Sequence, residues 1–208
     1  NILKMYVDEA VLNFMNTREF ESSLLENETI EASVAFIDIC GFTSISENEN
    51  PDNVVKLLNS YFDVMVNEII AQRGFVDKFL GDAIMAVFKG EFHLDKAIEA
   101  SLAVRNKIAA LPEFSDNILF KPQVSIGVNS GEMVSGNIGS SSLRRLDYTV
   151  IGDVVNTAQR LQSSAAPGQI LINEKSYGKV KEYFKCNRVG EVALKNKSEA
   201  MVIYEVLE

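Results

Sequence analysis

The 208-residue sequence predicts an α+β fold, with a mainly antiparallel central sheet of ferredoxin-like βαββαβ order, flanking helices and appended elements. Three observations carry that reading. Short apolar runs alternate with amphipathic stretches of helical period. Two of the runs are joined by a tight turn built on Gly81. No internal repeat or low-complexity segment interrupts the alternation.

In chain order, residues 33–38 form an apolar strand that ends in an acid, Asp38. Asp52 is expected to cap a long helix whose apolar residues Val54, Leu57, Leu58, Tyr61, Met65 and Ile69 step by three or four. Arg73 and Gly74 end it. Residues 75–79 and 83–88 flank Leu80-Gly81-Asp82 as a hairpin. A second helix spans 95–111 and stops at Pro112. Residues 124–128 and 133–138 read as another strand pair, turning at Ser130 and Gly131. A third helix covers 153–162, and short strands and turns complete the chain.

Residues 1–28 differ from the rest. Ile2, Leu3, Met5, Tyr6, Val7, Val11, Leu12, Phe14 and Met15 make an amphipathic stretch, followed by polar Glu26-Asn27-Glu28. This segment reads as a linker from an upstream regulatory region or as a frayed end, and the start at Asn1 reads as a fragment of a longer protein. The second domain is 29–208.

A net charge of -9 and a pI near 4.8 argue against a nucleic-acid-wrapping surface and against a polybasic membrane contact. His93 is the single histidine, which excludes multi-histidine zinc sites and disfavours a Ser-His-Asp mechanism, and it reads as a surface residue just before the second helix. Cys40 and Cys186 have no paired spacing and read as free thiols in a reducing, cytoplasmic setting. No apolar run reaches bilayer-spanning length.

Asp38 and Asp82 stand at the ends of apolar strands. Either alone reads as a turn cap, but the topology sets the first strand beside the hairpin and lets both acids meet at one sheet edge. Hard oxygen ligands of this kind suit two Mg²⁺ or Mn²⁺ ions carrying substrate phosphates. Beyond Asp38, Gly41 and the residues Phe42, Thr43 and Ser44 would let backbone N–H groups approach an anion.

The segment Phe36-Ile37-Asp38-Ile39-Cys40-Gly41-Phe42-Thr43 resembles the FxDIxGFT signature of class III nucleotidyl cyclases. Lys78 to Ala86 resembles that family's KxxGDxxxA hairpin, and Ile126 to Gly131 its GIxxG strand. Tyr148 to Leu161 is similar to its last catalytic segment, and Leu194-Lys195-Asn196-Lys197 to its LKGK turn, with Asn196 where Gly is usual. The resemblance runs in order from about residue 29 to the C-terminus.

It implies a catalytic domain that makes cyclic AMP and pyrophosphate from ATP, with an upstream sensor domain and a head-to-tail homodimer holding two shared sites. Asp38, Asp82 and the Ile39 carbonyl would hold the metals. Lys78 and Thr149 would contact adenine, Asn156 would orient the ribose, and Arg160 would stabilise charge on the α-phosphate. Phe42 and Thr43 would line the phosphate loop, while Lys197 or Lys195 would reach the terminal phosphates. Lysine favours the adenine N1 acceptor, whereas guanylyl cyclases usually carry Glu at the Lys78 position. Threonine at 149 marks a bacterial-type subgroup often described as bicarbonate-responsive. A guanylyl cyclase and an inactive cyclase-like module are the alternatives, and the proton acceptor is open among Asp38, water and the substrate.

Overall fold

The computed structural model describes residues 27–112, 121–140, 145–193 and 200–208. Two compact units are distinguished. One comprises Glu31–Met133 and Gly152–Glu208, and the other includes Val134–Ile151.

In the first unit, β1 (Glu28–Ile39) leads to a short helix α1 (Phe42–Asn48) and a long helix α2 (Pro51–Ala71). The hairpin strands β2 (Phe75–Leu80) and β3 (Ala83–Lys89) follow, then α3 (His93–Ala109). After β4 (Val124–Ser140) and β5 (Arg145–Ile151) come α4 (Asp153–Ser164), β6 (Ile170–Asn173), α5 (Glu174–Val180), β7 (Cys186–Ala193) and β8 (Ala200–Val206). The sheet order is β2-β3-β1-β4-β6-β8-β7, whose first four members are the βαββαβ core expected from the sequence. Pairing is antiparallel in β1–β3, β2–β3, β4–β5, β6–β8 and β7–β8, and parallel in β4–β6.

Every residue from Ala32 to Ile37 is buried, so both faces of β1 are covered, which explains a continuous apolar run in place of alternation. On α2, Leu57, Tyr61, Met65 and Ile69 form one buried stripe four residues apart. Each such side chain contributes roughly 1.5–3 kcal/mol relative to exposure. The α2 cap is Asn50 rather than the expected Asp52. Its side chain accepts from the Asp52 N–H at 2.9 Å, because Pro51 has no N–H and occupies the first helical position. At the far end Arg73 takes the left-handed conformation (φ 58°) while the Gly74 N–H donates to the Ile69 carbonyl at 2.9 Å. Gly74 is needed for a different reason: a Cβ there would lie 2.7 Å from Cδ1 of Phe88.

Two further expectations are corrected. Residues 124–138 do not turn at Ser130 and Gly131. They run on as one strand, β4, which pairs with β6 through Ile126–Val128 and with β5 from Val134 onward. Small residues mimic a turn locally, but here they let a helix lie close on the strand. His93 is the first residue of α3 and half-buried, not a surface residue before the helix. Its Nδ1 is 2.8 Å from the Ser33 hydroxyl, and burial pushes its pKa down. No described helix is long and apolar enough to cross a membrane.

Candidate active site

The antiparallel register of β1 and β3 pairs Asp38 with Ala83, so Asp82 stands next to the end of β1. The Ile39 N–H donates to the Asp82 carbonyl at 3.3 Å, and the Cys40 N–H to the Gln123 carbonyl at 2.9 Å, tying the loop after β1 to both neighbours. The two acids thus come from opposite ends of adjacent strands, as their positions in the sequence imply. Gly81 (φ 66°) makes the hairpin turn that presents Asp82.

Asp38 is half-buried, and its pKa is pushed up to about 6, first by loss of hydration and second by the negative charge of Asp82. A divalent cation removes both causes at once. Among the described residues no cluster of three or more His, Cys, Asp or Glu side chains surrounds this point. Two carboxylates and the Ile39 carbonyl fit Mg²⁺ or Mn²⁺, which keep several positions for phosphate oxygens and water. They do not fit a closed zinc site. Burial pushes the Cys40 thiol up, the Ser125 hydroxyl opposing it, so Cys40 stays protonated and is a poor ligand.

A pH-dependent prediction follows for the metal-free protein. With a folded pKa near 6 and an ordinary value of 3.8, the native state holds the Asp38 proton more tightly than the unfolded chain does. The contribution of Asp38 is therefore most favourable below pH 3.8 and is lost as pH rises through about 6. In chelator at pH 7.5, Asp38→Asn should melt at or above the wild-type temperature, and the difference should vanish near pH 4. Mn²⁺ should raise the wild-type Tm and leave that of the variant nearly unmoved. A variant that melts lower in chelator at pH 7.5 contradicts the repulsion.

Lys78 lies on β2 of the same hairpin, at a bulge where the register jumps between Val76 and Lys78. Its ammonium is 3.3 Å from Oδ2 of Asp77, whose side chain is wholly buried, while the Lys78 side chain remains 36% exposed. Sequence reading missed Asp77. The signal was an acid placed directly before a lysine inside Phe75-Val76-Asp77-Lys78-Phe79, an apolar strand where a carboxylate needs a partner.

Gly41 caps α1 in the left-handed conformation (φ 76°), with Thr43 exposed on the first turn. The Phe42 side chain belongs to the hydrophobic core, so only its backbone is available to a ligand. Asn156 and Arg160 lie one turn apart on α4, Asn156 exposed and Arg160 half-exposed, which gives them a common face. Thr149 is buried in β5 opposite Gly136 of β4, in the other unit. Lys195 and Lys197 lie outside the described residues, as do most of residues 1–28.

The adenylate and guanylate cyclase catalytic domain matches residues 25–207. An adenylate cyclase of Anabaena cylindrica is 36% identical over 191 residues, covering 86% of this chain and 37% of that protein. The crystal structure of the adenylyl cyclase CyaB from P. aeruginosa aligns with a TM-score of 0.82 at 32% identity, covering 88% of this chain and 97% of that one. That of the guanylyl cyclase Cya2 aligns with a TM-score of 0.74, also at 32% identity, covering 88% and 94%. Against full-length curated relatives the chain spans as little as 24% of their length. A match over nearly its whole length, with its α+β fold, makes this chain a member of the adenylate and guanylate cyclase catalytic domain family, the class III nucleotidyl cyclases.

Proposed function

We propose that this chain is the catalytic domain of an adenylyl cyclase, converting ATP to cyclic AMP and pyrophosphate in the cytoplasm. The observation that supports the reading is one hairpin bearing both an acid beside Asp38 and, at its bulge, Lys78; in this reading the lysine selects adenine. Asp38, Asp82 and the Ile39 carbonyl would hold two divalent cations. When bound, these lower the pKa of the ribose 3′-hydroxyl and neutralise the triphosphate.

The residues of the chain divide the remaining work. Lys78 donates to adenine N1, an acceptor, and Thr149 accepts from the exocyclic amine. Asn156 holds the ribose so that its 3′-oxygen faces the α-phosphorus, a gain in orientation. As the new O–P bond forms and the bond to pyrophosphate breaks, negative charge grows on the α-phosphoryl oxygens. Arg160 meets it with fixed, planar donors. Backbone N–H groups at Phe42 and Thr43, with Lys197 or Lys195, receive the terminal phosphates. The 3′-proton leaves to Asp38, water or the substrate.

The catalyst is a head-to-tail homodimer, with the metal acids of one subunit facing the Lys78, Asn156 and Arg160 set of the other across two equivalent sites. Residues 1–28 are the arm through which an upstream regulatory domain sets how the subunits close.

A second reading, guanylyl cyclase, is kept open by the 32% identity to Cya2. Product formation from ATP and from GTP with Mn²⁺ tests both. The adenylyl reading expects kcat/KM for ATP to exceed that for GTP by at least about tenfold, a single well-placed hydrogen bond being worth that much. Predominant cyclic GMP would select the second reading. No product from either nucleotide would make the chain an inactive binding module.

A further inference from the structure

Along β4, Ser125, Gly127, Asn129 and Gly131 alternate, so all four project from one face, while Val124, Ile126 and Val128 point into the core on the other. The first four all meet α4. Nε2 of Gln162 donates to the Ser125 hydroxyl at 2.9 Å. A Cβ on Gly127 would collide with the backbone nitrogen of Gln162 and the carbonyl oxygen of Ala158. Nδ2 of Asn129 donates to the Val154 carbonyl at 3.1 Å, and a Cβ on Gly131 would lie 3.0 Å from Cγ2 of Val154. The contacts run from residue 154 to residue 162 and so bracket Asn156 and Arg160.

Three of the four are explained by close packing, but Asn129 is not. It is 4% exposed, and its Oδ1 is buried without a hydrogen-bond partner among the described residues. A small apolar residue would avoid that cost. What the asparagine adds is a directed bond to the first turn of α4, which resists both rotation and sliding of the helix. Rotating a helix by about 20° moves a group about 6 Å from its axis by roughly 2 Å. Misplacement of about 1 Å can cost 10²-fold in rate.

We infer that Asn129 is a positioning residue that sets the rotation and height of α4, and through them the presentation of Asn156 and Arg160. The inference rests on the adenylyl cyclase reading of those two residues. Acting through a group that works mainly in the transition state, Asn129 affects kcat more than KM.

The test is a double-mutant cycle in the 208-residue chain, read as cyclic AMP formation from ATP with Mn²⁺. Asn129→Ala should lower kcat by about 10- to 100-fold with KM changed by less than about threefold. In an Arg160→Ala background the same change should cost at least about threefold less than in the wild type, because one of the two groups it positions is gone. Should Asn129→Ala not fold, Gln162→Ala removes the tether at the other end of the helix and should show a smaller loss that also shrinks in Arg160→Ala. Losses that multiply in full, or that fall on KM instead of kcat, would overturn the inference and leave the function intact. An unimpaired Arg160→Ala would overturn the reading of the site itself.

Discussion

Equimolar mixtures of Asp38→Ala and Arg160→Ala chains are expected to form cyclic AMP at about a quarter of the wild-type rate, although each variant alone is reduced by about 10³-fold. The single losses follow from what each residue supplies. In the proposed site, removing Asp38 would take away a metal ligand and leave Asp82 to hold the metals alone, and metal charge stabilisation is worth several kcal/mol. Removing Arg160 would delete the proposed transition-state donor, worth roughly 10²- to 10³-fold. A thousandfold corresponds to about 4 kcal/mol.

Recovery on mixing follows from symmetry. In a two-fold dimer with shared sites, random exchange makes about half of the dimers mixed, and each mixed dimer has one doubly damaged site and one intact site. Half of the sites in half of the dimers is about a quarter. A mixture that stays at the sum of its components would show that each chain carries its own complete site, and the shared-site dimer would have to be abandoned.

Lys78→Met is expected to lower kcat/KM for ATP by about 10²-fold and to bring the ATP-to-GTP preference close to one. The side chain keeps most of its length and stays unbranched but loses a charged donor, and charge-assisted hydrogen bonds are about twice as strong as neutral ones. Guanine offers an N1–H donor where adenine offers an acceptor, so in the proposed site discrimination would rest on the polarity of the group at position 78. The same substitution removes the ammonium 3.3 Å from the buried Asp77 carboxylate, so Tm should fall as well. The selectivity ratio is the readout to trust, because partial unfolding lowers activity on both nucleotides equally. A preference for ATP that survives the substitution would place adenine recognition elsewhere.

Much of the fold was legible locally. The strand ending at Asp38, the α2 stripe of Leu57, Tyr61, Met65 and Ile69, and the hairpin around Gly81 each carry their period and turn chemistry within a few residues. The α2 cap was misjudged by two positions, since Asp52 and Asn50 are both good caps and Pro51 decides between them only when its place in the helix is known. The break predicted at Ser130 and Gly131 failed for a deeper reason. Glycine in a strand signals either a turn or the close approach of another element, and here it is α4, which begins at Asp153 and sets Cγ2 of Val154 3.0 Å from where a Cβ on Gly131 would lie.

The candidate site divides in the same way. Residue type and order alone determined the chemical inventory: two strand-end acids, a lysine on a hairpin, and an amide and a guanidinium four apart on a helix. These depend on local spacing, and the recurring segments around them identified the family. Only the tertiary structure decided that burial, and after it the charge of Asp82, raises the pKa of Asp38, that Phe42 turns its ring into the core, and that Asp77 pairs with the lysine and Asn129 bonds to the helix. The physical reason is that burial and pairing join residues distant in sequence. A carboxylate or an amide looks the same in the chain whether it ends in water, beside its double, or under a helix that must not turn.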